Sequence, residues 1–256
     1  MILELRDLDL ELWREIVGLY TRDPVAHAYL MYDLIYELKN TELLVDYEKR
    51  IRGYALVWKR YSPWGIQLYG SVERLLERIP RGRARFHVPI SIAGAVLELL
   101  ENSRNVELEG YYLDMVVDYE RFRPVSPERA VRLSAEHLDQ FLRLKGIQGR
   151  PLEPEVAAER LRKWRYYGVF EEGELVSVAC AYLRLPEVWA VGDVYTRPDF
   201  RGRGYAKIST SAVTRDAVNS GAMAFLHVKE DNEPAIKVYK SLGYEIVGKK
   251  LWILST

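Results

Sequence analysis

The residues best placed to do chemistry lie in Val194–Ala206, which reads VYTRPDFRGRGYA. A strand-like run ends at Thr196, Pro198 stops it, and Arg201-Gly202-Arg203-Gly204-Tyr205-Ala206 leads into a helical pattern. Two glycines one residue apart let the backbone bend closely around a ligand, because neither carries a Cβ. The helix that follows offers free N–H groups and the positive end of its dipole, which together make a seat for a pyrophosphate. Arg201 and Arg203 add local positive charge. Two other phosphate motifs are excluded by their spelling. A dinucleotide-binding turn needs G-x-G-x-x-G, and the residue three after Gly204 is Lys207. A nucleoside-triphosphatase loop needs G-x-x-x-x-G-K-[ST], and no such string occurs.

A second segment lies downstream, Asn232-Glu-Pro-Ala235-Ile-Lys-Val-Tyr239-Lys-Ser-Leu-Gly243-Tyr244. Asn232 is a good N-cap, Pro234 fits a first turn, and Gly243 fits a left-handed helix exit. Ile236, Tyr239 and Leu242 recur at i, i+3 and i+6, so by this pattern alone Tyr239 reads as a core aromatic on a helix face.

Arg201-x-x-Gly204-x-Ala206 followed by N-x-x-A-x-x-x-Y-x-x-x-G-Y, with one strand between, resembles the GNAT superfamily of acyl-CoA-dependent N-acyltransferases. The resemblance covers about 124–256. Within the superfamily, E-x-x-x-x-G-D-V-Y-T-x-P-D-F-R-G-R-G is most similar to the glycine N-acyltransferase-like branch. It implies transfer of an acetyl or other acyl group from acetyl-CoA to a primary amine, by direct attack. It also implies that Val194, Tyr195 and Thr196 pair with the pantetheine arm where a strand splays open. Arg201, Gly202, Arg203, Gly204, Tyr205 and Ala206 would take the pyrophosphate, and Asn232 the arm of the cofactor. Tyr239, a phenol protonated at pH 7, would donate to the leaving thiolate. Glu187 and Asp193 are the candidate bases, since strand alternation puts both on one face unless a bulge intervenes. Each has a plainer reading, Glu187 as a solvated turn residue and Asp193 as a structural hydrogen-bonder. Cys180, mid-strand among Val178, Ala179 and Ala181, reads as a buried inert thiol. Trp164, Tyr166 and Tyr167, at the end of a helix read over 154–165, line the acceptor site or belong to the core. A non-catalytic acyl-CoA sensor with a partner domain is the alternative function.

Positioning these residues requires an alternating α/β chain. After a polar, proline-bearing joint at Tyr119–Pro127, the order is a short strand, two helices and three strands. A helix over 206–220, a strand over 224–228, a helix over 233–242 and a final strand over 244–254 follow. The helix over 206–220 is rich in Ser and Thr and has a ragged apolar stripe. Only one strand follows Gly243 where many members of the superfamily have two. The missing edge comes either from the N-terminal half or from one long last strand. Before the joint a similar order appears: helices over 11–19, 24–38, 72–79 and 92–100, with strands over 43–46, 53–61, 65–71, 83–87 and 106–113. Offsetting the halves by about 124 residues lays GYALVWKRY on VSVACAYLRL, a weak internal duplication. The N-terminal strand end reads Gln67-Leu-Tyr-Gly-Ser and has no glycine loop. The expected fold is α/β of the α+β kind. It consists of tandem GNAT-like folds with mixed, mostly antiparallel sheets flanked by helices: a degenerate copy over 1–123 and an acetyl-CoA-binding copy over 124–256.

Composition narrows the partners. In 256 residues, Lys plus Arg and Asp plus Glu are each 37, so no net field draws in nucleic acid or an anionic membrane. The longest apolar run is too short to span a bilayer, and the N-terminus carries acids where a signal peptide carries bases. One cysteine and four scattered histidines leave no metal motif. The reading is a metal-free, cytoplasmic monomer or homodimer acting on a small-molecule or peptide amine. Arg outnumbers Lys 26 to 11 while Gln and Asn number three and five, a balance that a heat-loving host or a GC-rich genome explains equally.

Overall fold

The computed structural model describes every residue, Met1–Thr256. The chain divides into two units. One comprises Met1–Asp114, Lys229–Asp231 and Gly248–Thr256, and the other Met115–Val228 and Asn232–Val247. The chain first runs through β1 (Ile2–Glu4), α1 (Leu10–Arg22), α2 (Ala28–Tyr36), β2 (Thr41–Tyr47), β3 (Ile51–Trp58) and β4 (Trp64–Gly70). It continues with α3 (Glu73–Leu76), β5 (Ala84–Pro89), α4 (Ala93–Glu101) and β6 (Val106–Val117). The same order then recurs: β7 (Val131–Arg132), α5 (Leu138–Ile147), α6 (Pro154–Lys163), β8 (Arg165–Glu171), β9 (Glu174–Arg184) and β10 (Val188–Thr196). It closes with α7 (Tyr205–Asn219), β11 (Met223–Lys229), α8 (Glu233–Ser241) and β12 (Glu245–Ser255). Strands pair antiparallel along β1-β2-β3-β4 and along β7-β8-β9-β10, while β4–β5 and β10–β11 are parallel. The architecture is a mixed, mostly antiparallel arrangement flanked by helices. No helix is long and apolar enough to cross a membrane.

In the first unit, α1 and α2 bury Leu12, Ile16 and Leu34 against Leu43, Val45 and Leu56 of β2 and β3. A separate core gathers Ile66, Phe86, Leu75 and Val96 with Leu251 and Ile253 of β12. That last strand is one long element. Its Lys250–Ser255 segment pairs antiparallel with Ala84–Pro89 of β5, so the final residues of the chain complete the first unit. The single long last strand, one of the two ways foreseen to supply the missing edge, is present. The helix expected over 72–79 shrinks to the one turn of α3.

In the second unit, α5 and α6 cover one face of the sheet, where Phe141, Leu144 and Leu161 meet Tyr166, Val178 and Cys180. The helix expected over 154–165 ends earlier, at Lys163. Trp164 is its C-cap, and Tyr166 and Tyr167 lie in β8 paired with β9. Aromatic residues suit a strand buried on both faces, and that burial outweighs the helical spacing. Helix α7 also resolves its odd composition. Ser209, Ser211 and Thr214 are fully buried and hydrogen-bonded. The Ser211 hydroxyl accepts from the Val125 N–H at 2.9 Å, and the Thr214 hydroxyl meets the Tyr244 hydroxyl at 2.8 Å. Satisfied hydroxyls are tolerated in a core, so the stripe is ragged without the helix being exposed.

Candidate active site

Strands β10 and β11 pair only over Val188–Ala190 and Met223–Phe225. Beyond those residues they part, which leaves the Val194–Thr196 edge of β10 free on the β11 side. Two register breaks against β9 accompany the parting, at Ala190/Val191 and between Gly192 and Tyr195. Asp193 sits in the second break with φ of 50°, a left-handed conformation that β-carbon crowding disfavours. A cleft of about 670 Å3 opens here, lined by Val194–Thr196, the glycine loop, the start of α7, Asn232 and Tyr239.

The loop has the geometry of an anion seat. Gly202 and Gly204 take φ of 78° and 82°, and an added Cβ at either would meet no atom within 4 Å. The first α7 bond is from the Ile208 N–H to the Gly204 carbonyl, so the N–H groups of Tyr205, Ala206 and Lys207 stay open, as first-turn donors do. The Arg201 N–H is turned inward onto the Pro198 carbonyl, which removes it from the donors expected of this loop. Its guanidinium instead reaches the Thr196 carbonyl at 3.3 Å. Phe200 lies between the guanidiniums of Arg197 and Arg203, at 4.9 and 5.1 Å from its ring. Arg197 is neutralised by Asp199 and Glu174, whereas no carboxylate pairs with Arg201, Arg203 or Lys207. Arg203 lies outside the cleft lining and Lys207 within it. The sequence reading missed Lys207. A cation in the first turn of a helix opposes the dipole, and that mismatch was the available signal for an anion nearby.

At the other wall, the Asn232 side chain caps α8 by accepting the Ala235 N–H at 3.3 Å, and the residue lines the cleft. Gly243 ends the segment at φ of 96°, where a Cβ would stand 2.0 Å from the Arg121 carbonyl. Tyr239 is buried yet lines the cleft. Burial alone pushes its phenol up to about 12. Its nearest aromatic neighbour is Tyr244, with ring centroids 6.0 Å apart.

The two carboxylates do not share a face by simple alternation, because the register breaks intervene between them. Glu187 stands in the exposed turn before β10, and its carbonyl accepts the Met223 N–H. At about 3.3 Å per residue, six residues put it some 20 Å along the strand from Asp193. Asp193 immediately precedes Val194 of the cleft lining and is held by three donors: the Lys145 ammonium, the Tyr166 hydroxyl at 2.6 Å and the Gln148 amide at 3.4 Å. Cys180 is fully buried beside this cluster, and burial raises its thiol well above the usual range, as befits an inert group. Tyr166 and Tyr167 are core residues. Tyr167 donates to Asp216, an acceptor it shares with Arg165, on the α7 side of the sheet.

Residues 135–244 match the model of the acetyltransferase (GNAT) family. Solved structures share the fold over nearly the whole chain. A Drosophila protein superposes with a TM-score of 0.75 at 13% identity, covering 100% of this chain and 98% of its own. A tandem GNAT protein from the clavulanic acid biosynthesis pathway gives 0.63 at 14% identity, with coverages of 100% and 98%. A GCN5-related N-acetyltransferase from Kribbella flavida gives 0.64 at 16%, covering 91% and 94%. No curated protein is significantly similar in sequence. The family match spans less than half of the chain, and the solved structures share its fold.

Proposed function

We propose that the second unit transfers an acetyl group from acetyl-CoA to a primary amine by direct attack, with Asp193 taking the amine proton and Tyr239 hydrogen-bonding to the leaving sulfur. One observation carries the reading: the parted strands, the open glycine loop and Tyr239 all line a single cleft. Acetyl-CoA fits the residues present, since Gly202 and Gly204 leave the space where Cβ atoms would stand and α7 presents unpaired N–H groups there. When bound, it supplies the acyl group as a thioester. The free edge of Val194–Thr196 pairs with the pantetheine amides, and the Gly202–Lys207 N–H groups, with Arg201, Arg203 and Lys207, neutralise the phosphates. Asn232 contacts the arm through its amide. As the C–N bond forms and the C–S bond breaks, the amine proton passes to Asp193 and the Tyr239 hydroxyl hydrogen-bonds to the sulfur. Glu187, at the far end of β10, takes no part. The first unit holds no acetyl-CoA in this reading, because one-turn α3 offers no glycine loop in front of it. The motif from Glu187 to Gly204 supports the glycine N-acyltransferase-like branch.

The test is calorimetry with acetyl-CoA, followed by turnover on glycine, spermidine and a tripeptide with a free α-amine. We expect one site per chain, lost in Gly204→Glu, where a side chain and an anion enter the phosphate seat. Unchanged affinity in that variant would refute the loop assignment. Binding without turnover of any amine would leave a sensor instead of an enzyme.

A further inference from the structure

We infer that Lys145 and Tyr166 are positioning residues that anchor one oxygen of Asp193 and leave the other to meet the amine. The inference rests on Asp193 as proton acceptor. The two carboxylate oxygens are treated unequally. Oδ2 receives both the Lys145 ammonium of α5 and the Tyr166 hydroxyl of β8, whereas Oδ1 has only the long contact to Gln148 at 3.4 Å. Gln148 also accepts from Lys145 at 2.9 Å, so the ammonium braces the group at both ends. Side-chain exposure separates the members: Lys145 keeps 1% and Asp193 15%, and Tyr166 is among the fully buried residues. The anchors are therefore sealed inside while the carboxylate stays reachable. Asp193 stands in a left-handed bulge next to Val194 of the cleft, so tethers from two other elements decide where its carboxylate points. An ion pair is not needed to hold α5 on the sheet, because a packed apolar pair commonly serves stability as well or better. A base oriented by further hydrogen-bonding groups is, by contrast, a recurrent arrangement in catalysis.

The decisive experiment is a kinetic double-mutant cycle on the amine with the highest turnover among those named above. The variants are Tyr166→Phe, Asp193→Asn and the pair together, with kcat, the KM for acetyl-CoA and Tm measured for each. Tyr166→Phe removes one oxygen and keeps the ring, and it should lower kcat roughly tenfold with KM within about twofold. Asp193→Asn should cost more, and adding Tyr166→Phe to it should cost nothing further in kcat. If Asp193→Asn leaves Lys145 uncompensated and the chain unfolds, Lys145→Met/Asp193→Asn serves as the background instead. An active Asp193→Asn would remove Asp193 from the chemistry and refute the reading of the base. Loss in Asp193→Asn with an independent, additive loss from Tyr166→Phe, or no kcat effect of Tyr166→Phe, would overturn the positioning role alone.

Discussion

Replacing Tyr239 by Phe separates a catalytic phenol from a packing one. The phenol is pushed up to about 12 by burial, so it is neutral at any ordinary assay pH and always carries its proton. Full transfer to a thiolate of ordinary basicity, near 8.5, is uphill by about 3.5 units, or about 5 kcal/mol. In the proposed mechanism Tyr239 would therefore act by hydrogen-bonding to charge as it gathers on sulfur. A hydrogen bond to a charged group is worth about 1.5–3 kcal/mol, which converts to a kcat loss of roughly 10- to 150-fold. Stability should respond differently. No side chain bonds the Tyr239 hydroxyl, so the variant keeps the ring contact with Tyr244 and loses no internal bond. Its Tm should stay within a degree or two of the parent, roughly the effect of 0.5 kcal/mol or less in a protein of this size. Steady-state kinetics and a melting curve on one preparation decide the matter. Parental kcat with a lowered Tm would return Tyr239 to the core and leave water to protonate the sulfur. Acetyl-CoA affinity should be unchanged, because binding of the donor precedes the charge that Tyr239 meets.

Two further predictions address the first unit. His27 bonds the Tyr54 hydroxyl at 3.0 Å and is held down to about 4, chiefly by burial and further by Arg22 and Lys250 against the pull of Asp23. A depressed pKa stabilises the fold above the unfolded value of about 6.5 and loses that contribution as pH falls toward 4, here by about 3 kcal/mol. Thermal melts of His27→Gln should show a shallower decline over that interval than the parent, and parallel declines would refute the assignment. Ile253 is fully buried in the core that contains Phe86 and Val96. Ile253→Ala should cost about 2–5 kcal/mol by denaturant titration while acetyl-CoA affinity holds, and the opposite pattern would place the last strand with the cofactor site.

What the sequence by itself determined was local. Glycines at 202 and 204, the Asn232 cap, the Gly243 exit and the repeated element order are legible because each follows from a few neighbouring residues and the backbone angles they allow. The parting of β10 from β11 was accessible only through the resemblance, yet it falls where that resemblance implied. Only tertiary structure decided the rest. Alternation predicts a common face for Glu187 and Asp193, but register breaks forced by pairing with β9 set Asp193 apart in a left-handed bulge. Tyr166 reads as the end of a helix until burial between α5 and α6 on one side and its pairing with β9 make it strand. Lys145 is an ordinary helix cation in sequence, and only the folded chain brings it from 48 residues away onto Asp193. The Ser211 and Thr214 hydroxyls of α7 look like a polar face until Val125 and Tyr244 arrive to satisfy them inside the core. The final strand gives no sign that its partner is β5, because strand pairing depends on which edge lies open, and that is settled among residues far apart in the chain.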